Sequence, residues 1–180
     1  LINNAGYGSY GAIEDVPLEE AKRQFEVNLF GLAALTKLVL PHMRHQKAGR
    51  IINISSMGGR FTTYFGAWYH ATKYALEAFS DALRMEVKPF GIDVSLIEPG
   101  GIKTDWGLIA ADHLADSAKG GAYEEAALKT ATGMRKQYSG NMMSDPKIIS
   151  KTILKAVSSK RMRARYLIGF GAKPLVFLHT

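Results

Sequence analysis

The sequence contains no cysteine among its 180 residues. This absence excludes disulfide bonds, thiolate catalysis and metal sites built from cysteine. His113 has no partner at metal-binding spacing, so we place it on the surface or beside a pocket and expect no metal site. The lack of disulfides is compatible with a reducing compartment, and we expect a cytoplasmic protein.

Long hydrophobic runs are missing as well. The most apolar stretch, residues 29–40, contains Thr36 and Lys37 and is too short to cross a bilayer. No basic segment followed by an apolar run opens the chain, so we predict neither a transmembrane segment nor a signal peptide. The hydrophobic fraction of 47% and the length favour a single globular domain with a real core.

Acidic residues are fewer than basic ones, 16 against 23, and the formal net charge is +7. Part of the excess forms a late cluster, which consists of Lys155, Lys160, Arg161, Arg163 and Arg165. Clustered positive charge is also a feature of nucleic-acid-binding proteins. We favour a solvated turn between a helix and a strand, and we expect no nucleic-acid partner.

Residues 51–73 combine a strand, a loop and a helix that carry polar side chains suited to catalysis. The apolar run Ile51-Ile52-Asn53-Ile54 predicts a buried parallel strand. Ser56 follows this strand and opens a Gly-rich loop. The next helix carries Tyr69 and Lys73, which share one face because they are four residues apart.

This spacing predicts an acid–base pair. A free tyrosine has a pKa near 10 and is a poor proton donor or acceptor at neutral pH. We expect the positive charge of Lys73 to lower the pKa of Tyr69 and make it a general acid or base. Ser56 lies thirteen residues before Tyr69, at the carboxyl end of the strand. Ligands bind at that end of the strands in open α/β sheets.

The segment Tyr69-His70-Ala71-Thr72-Lys73 resembles the YxxxK motif of the short-chain dehydrogenase/reductase family. Ser56 matches the catalytic serine of that family at its usual spacing. Three further blocks occur in the family's order, namely Asn3-Asn4-Ala5-Gly6, Asn28 within VNLFG, and Pro99-Gly100 followed by Thr104. The resemblance covers nearly the whole chain.

The resemblance implies an oxidoreductase that transfers a hydride between NAD(P) and a carbonyl or secondary alcohol. Asn28, Ser56, Tyr69 and Lys73 would be the catalytic residues, with Ser56 and Tyr69 contacting the substrate and Asn28 holding a relay water. We favour NADP over NAD. The implied cofactor-binding residues are Asn4, Ala5, Gly6, Tyr69, Lys73, Pro99, Gly100, Ile102 and Thr104. Thr104 could also be a simple helix cap.

The implied fold is a partial Rossmann-like α/β domain, a doubly wound parallel sheet with helices on both faces. No strand–GxxxGxG–helix unit precedes Asn3, and such a unit normally holds the cofactor pyrophosphate. We therefore interpret residues 1–180 as a single partial domain that lacks this loop. Residues 105–143 would be the substrate lid of the family.

Local patterns predict the remaining elements. Residues 15–40 form a helical pattern that is apolar around most of its girth, so we expect burial on more than one side, with a kink or near-terminal break at Pro41. Residues 93–97 and 165–170 predict strands. A helix after Pro146 would bury an apolar side made of Ile148, Ile149, Ile153, Leu154 and Val157.

Three alternatives remain open at this point. The helices that carry Asn28 and Tyr69 often form a subunit interface in the family, so we expect a possible homo-oligomer, although the same faces could pack within the monomer. A sugar-nucleotide epimerase or dehydratase shares YxxxK. A non-catalytic binding or scaffold protein of the same fold is the third alternative.

Overall fold

A computed structural model describes residues 1–179. Its strands are β1 (Ile2–Asn3), β2 (Gly49–Ile54), β3 (Ile92–Pro99) and β4 (Arg165–Ile168). Its α-helices are α1 (Leu18–Phe25), α2 (Gly31–His45), α3 (Ala67–Val87), α4 (Trp106–Ser117), α5 (Glu124–Ser139), α6 (Lys147–Ser158) and α7 (Ala172–His179). A π-helical segment, Glu26–Phe30, joins α1 to α2.

The four strands form one parallel sheet in the order β1-β2-β3-β4. Parallel neighbours require crossover connections, and helices supply each of them. Successive side chains of a strand point to opposite faces, so Ile51 packs toward α3 while Ile52 packs toward α6. Helices therefore cover both faces of the sheet, which confirms the predicted doubly wound α/β fold.

Helices α4 and α5 pack together at the carboxyl end of the strands. Their alanine-rich faces form one cluster with Tyr10, Phe65 and Tyr69. This cluster places the start of α4 directly beside the helix that carries Tyr69. The sequence pattern of residues 106–143 was too mixed to predict these two helices.

The expectation that the α2 helix is buried on more than one side is wrong. Its Leu32 and Thr36 face the protein, whereas Leu35 and Leu38 are 51% and 70% exposed. Leu32 packs in a cluster with Leu76 of α3 and Leu96 of β3. Pro41 does not end the helix, which continues to His45.

Two further side chains differ from their predicted environments. Leu154, predicted on the buried side of α6, is 65% exposed, whereas Ile149, Ile153 and Val157 of the same predicted side pack against the cluster of Ile52, Ile97 and Ala156. Arg165 was placed in a solvated turn, yet it pairs with carboxylates of α3 and β3. Among the described residues, no helix has the length and apolar character needed to span a membrane.

Candidate active site

A cleft of about 630 Å³ opens at the carboxyl end of the strands. Ser56, Tyr69 and Lys73 line it together. Ser56 comes two residues after β2 ends, and its Oγ accepts a hydrogen bond of 3.0 Å from the Gly58 N–H. Since that bond uses a lone pair of Oγ, the hydroxyl proton can be donated to Tyr69 or to a ligand oxygen in the cleft.

Lys73 lies one turn after Tyr69 and is buried. Its Nζ donates a 3.0 Å hydrogen bond to the Ile54 carbonyl at the end of β2 and lies 5.9 Å from the centre of the Tyr69 ring. Burial lowers the pKa of Lys73 to about 8, while the Glu77 carboxylate acts in the opposite direction. An ammonium has three donors, so this one hydrogen bond leaves two for a ligand in the cleft.

The prediction that Lys73 lowers the pKa of Tyr69 is wrong in this structure. Burial raises the pKa of Tyr69, and the neighbouring Tyr10 adds to this rise. A hydrogen bond with Ser56 acts in the opposite direction. The cost of desolvating a phenolate in this site exceeds what Ser56 supplies, so Tyr69 carries its proton at neutral pH.

Asn28 lies in the π-helical segment. The α-helical periodicity used to predict this region from the sequence does not describe a π-helical turn. Its side-chain Oδ1 accepts a 3.0 Å hydrogen bond from the Tyr7 N–H, and its Nδ2 donates to the Tyr7 carbonyl and to Thr72 Oγ1. The side chain therefore ties the loop after β1 to α3. Isolated π-helical turns are frequent at functional sites.

Gly6 separates Asn28 from Lys73. A Cβ at position 6 would lie 3.1 Å from Asn28 Oδ1 and 3.6 Å from Lys73 Nζ. The first distance is tighter than an ordinary van der Waals contact, so a larger residue would press on Asn28. Glycine at this position lets the backbone after β1 approach both polar groups.

Most residues expected to bind the cofactor lie in the same cleft. The residues concerned are Asn4, Gly6, Tyr69, Lys73, Pro99, Gly100, Ile102 and Thr104. Ala5 is exposed and is not among the lining residues, and Asn28 is buried behind them. Thr104 is not the cap of α4, because Asp105 holds the N-cap position and no side chain caps that helix.

Sequence reasoning missed the aromatic side of the cleft. Tyr10, Trp106 and Tyr138 also line it, and the rings of Tyr10 and Trp106 lie beside that of Tyr69. Their positions depend on the packing of α4 and α5, and no local motif marks them. His70 was also missed, although it lies within the YxxxK segment and is 2% exposed.

The family model for short chain dehydrogenase matches residues 1–111. A probable short-chain type dehydrogenase/reductase, VdlC of Helicobacter pylori, is 41% identical over 99% of this chain and 65% of its own length. A short-chain dehydrogenase structure from Streptomyces avermitilis is 34% identical, with a TM-score of 0.80 over 99% of this chain and 63% of that one.

A more distant structure shows the same fold. It is a short chain dehydrogenase/reductase of Burkholderia phymatum in complex with NAD, 20% identical, with a TM-score of 0.76 over 99% of this chain and 62% of that one. The chain thus spans slightly less than two thirds of the length of these relatives. Because the family model matches more than half of the chain, the chain belongs to the short-chain dehydrogenase/reductase family.

Proposed function

We propose that the protein transfers a hydride between NAD or NADP and a carbonyl or secondary alcohol substrate. The observation that carries this proposal is the convergence of Ser56, Tyr69 and Lys73 on one cleft at the carboxyl end of a parallel sheet. The family of the chain supports a nicotinamide cofactor, and the Burkholderia relative of the same fold was solved with NAD. Bound nicotinamide would supply the hydride.

Tyr69 would act as the proton donor in reduction. Because burial keeps its phenol protonated, the O–H can be given to the oxygen of a carbonyl as the hydride arrives at carbon. Ser56 would donate a hydrogen bond from its hydroxyl to the same oxygen and hold it in line, while keeping its own proton. In oxidation the alcohol proton would move to a Tyr69 phenolate, the form that burial of this side chain disfavours.

Lys73 would bind the ribose of the cofactor. Its two remaining N–H donors suit the ribose hydroxyls of a nicotinamide nucleotide. Gly6 has no side chain, so the loop after β1 can lie close to Lys73 Nζ. Asn28 would act through the loop at Tyr7, whose backbone it fixes on both sides. The relay water expected at Asn28 would be part of the same mechanism.

Replacement of Tyr69 by phenylalanine tests the proposal. Tyr69→Phe removes only the hydroxyl, so turnover in the full-length protein should fall by roughly 10²- to 10⁴-fold while cofactor affinity stays close to that of the parent. The measurement is the absorbance of reduced nicotinamide with a panel of ketones and secondary alcohols. Tyr64→Phe is the matched control, because Tyr64 is 63% exposed and lies outside the cleft. Turnover of Tyr69→Phe within a few fold of the parent would contradict the proposed role.

A further inference from the structure

Aromatic rings form a continuous wall on the α4–α5 side of Tyr69. The ring of Trp106 lies 5.0 Å from that of Tyr69 and 6.2 Å from that of Tyr138. Tyr10 closes the wall, with its ring 5.9 Å from Tyr69 and 6.0 Å from Trp106. The three outer rings come from the loop after β1, the first residue of α4 and the end of α5.

Small residues fix two of these rings in place. A Cβ at Gly8 would lie only 2.4 Å from the Trp106 indole, and one at Gly107 only 2.3 Å from the Tyr138 ring. Each ring therefore lies directly against a glycine backbone. The wall is a packed surface that keeps its shape, and it presents ring faces and edges to the cleft.

The cleft offers almost no charge to a substrate. Among the described residues that line it, Lys73 alone carries a formal charge at neutral pH, and its Nζ is directed to the end of β2. Both nitrogens of His70 are engaged within the protein, with the Gly58 carbonyl at 2.8 Å and the Thr63 N–H at 3.0 Å. A substrate carboxylate, phosphate or ammonium beside the aromatic wall would be desolvated without a counter-ion, which is costly.

We propose that the site accepts an uncharged ketone or alcohol whose flat apolar group packs against Trp106, Tyr138 and Tyr10. This inference rests on the proposed function, because it assigns the substrate class of the same site. The carbonyl or hydroxyl would reach Ser56 and Tyr69, and the apolar group would extend toward α4 and α5. Flat groups gain both burial and ring contacts on such a wall.

Three aryl methyl ketones test the charge preference, namely the uncharged acetophenone, the anion para-acetylbenzoate and the cation para-acetylphenyl-trimethylammonium. Binding to the full-length protein with NADH or NADPH is followed by tryptophan fluorescence. We expect the neutral ketone to bind roughly tenfold or more tightly than either charged probe. The fluorescence change should persist in Trp68→Phe and vanish in Trp106→Phe, since Trp68 is not among the lining residues.

A truncated wall gives a second measurement. Because the fluorescence signal is lost with Trp106, binding to Trp106→Ala is measured by calorimetric titration. Trp106→Ala should raise the Kd of acetophenone by roughly tenfold, whereas Tyr64→Ala, outside the cleft, should leave it unchanged. Equal or tighter binding of a charged probe overturns the inference. Tighter binding of the ammonium would instead indicate an aromatic cage for cations.

Binding and turnover separate this inference from the function on which it rests. If acetophenone binds best but neither it nor any other ketone is reduced, the proposed function fails and the substrate class stands. If reduction occurs without discrimination against charge, the substrate class fails and the function stands. Failure of all three probes to bind also overturns the substrate class.

Discussion

At the scale of single residues, His70 links the Ser56 loop to the helix that carries Tyr69. The Thr63 N–H donates to Nε2, so Nε2 is an acceptor and the ring proton resides on Nδ1, which donates to the Gly58 carbonyl. The Gly58 N–H in turn donates to Ser56 Oγ. This chain of hydrogen bonds connects His70, which has no proposed chemical role, to Ser56, which we propose contacts the substrate.

Replacement of His70 by phenylalanine should lower the free energy of unfolding by about 2 kcal/mol near pH 8, because it leaves the Thr63 N–H and the Gly58 carbonyl without their partner. Burial lowers the pKa of His70, so the folded protein binds fewer protons here than the unfolded chain. The contribution of His70 to the free energy of unfolding is fully present above the pKa of the unfolded chain, about 6.5, and is lost as the pH falls below that value.

Urea unfolding at about pH 8 and about pH 5 measures both effects. The free energy of unfolding should fall less between these two pH values in His70→Phe than in the parent protein. His113→Phe, at an exposed position, should show the same fall as the parent. An unchanged pH dependence in His70→Phe would contradict the assignment.

At the scale of elements, Arg165 joins β4 to α3 and β3. Its guanidinium contacts Glu77 at 2.9 Å, Asp81 at 2.6 Å and Glu98 at 3.3 Å. Arg60 adds a second contact to Glu98 at 3.3 Å. Burial raises the pKa of Glu77, and the arginine offsets part of that rise. These carboxylates lie far from Arg165 in the sequence, which is why the basic cluster was interpreted as a solvated turn.

Replacement of Arg165 by methionine should lower the free energy of unfolding by about 3 kcal/mol, because it leaves Glu77 and Glu98 buried without their shared cation. Equilibrium denaturation in urea measures the change. Arg161→Met is the matched control, since Arg161 belongs to the same basic cluster but is exposed. A similar loss in both variants would show that the cluster acts through net charge and not through these contacts.

At the scale of the whole molecule, α2 and α3 present apolar side chains to solvent. Leu38 and Met85 are 70% and 72% exposed, and Leu35 and Tyr74 lie on the same two helices at 51% and 44%. Exposed apolar faces of this kind mark interaction surfaces. They support the homo-oligomer expected from the sequence, which stays a proposal.

Replacement of Leu38 by glutamate should convert an oligomer into monomers, because it places a charge in an apolar interface. Size-exclusion chromatography with light scattering measures the mass. Leu154→Glu is the control, since Leu154 is equally apolar and 65% exposed but lies on α6. A monomeric parent protein, or loss of the oligomer in both variants, would exclude these helices as the interface.

The order of amino acids alone determined the strand runs, the helix that carries Tyr69 and the presence of Ser56, Tyr69 and Lys73 in one site. These features depend on periodicity and spacing between neighbours in the chain, which are visible in the sequence. The NADP preference and the lid at residues 105–143 stay predictions, because neither has been tested.

Only the tertiary structure decided the rise of the Tyr69 pKa, the partners of Arg165, the exposed face of α2 and the aromatic wall at Trp106. Each of these depends on what packs against a residue from elements distant in the sequence, and a side-chain pattern does not specify that packing. Tyr69 shows the reason most clearly: its spacing to Lys73 is local, but the burial that controls its proton comes from Tyr10, α4 and α5.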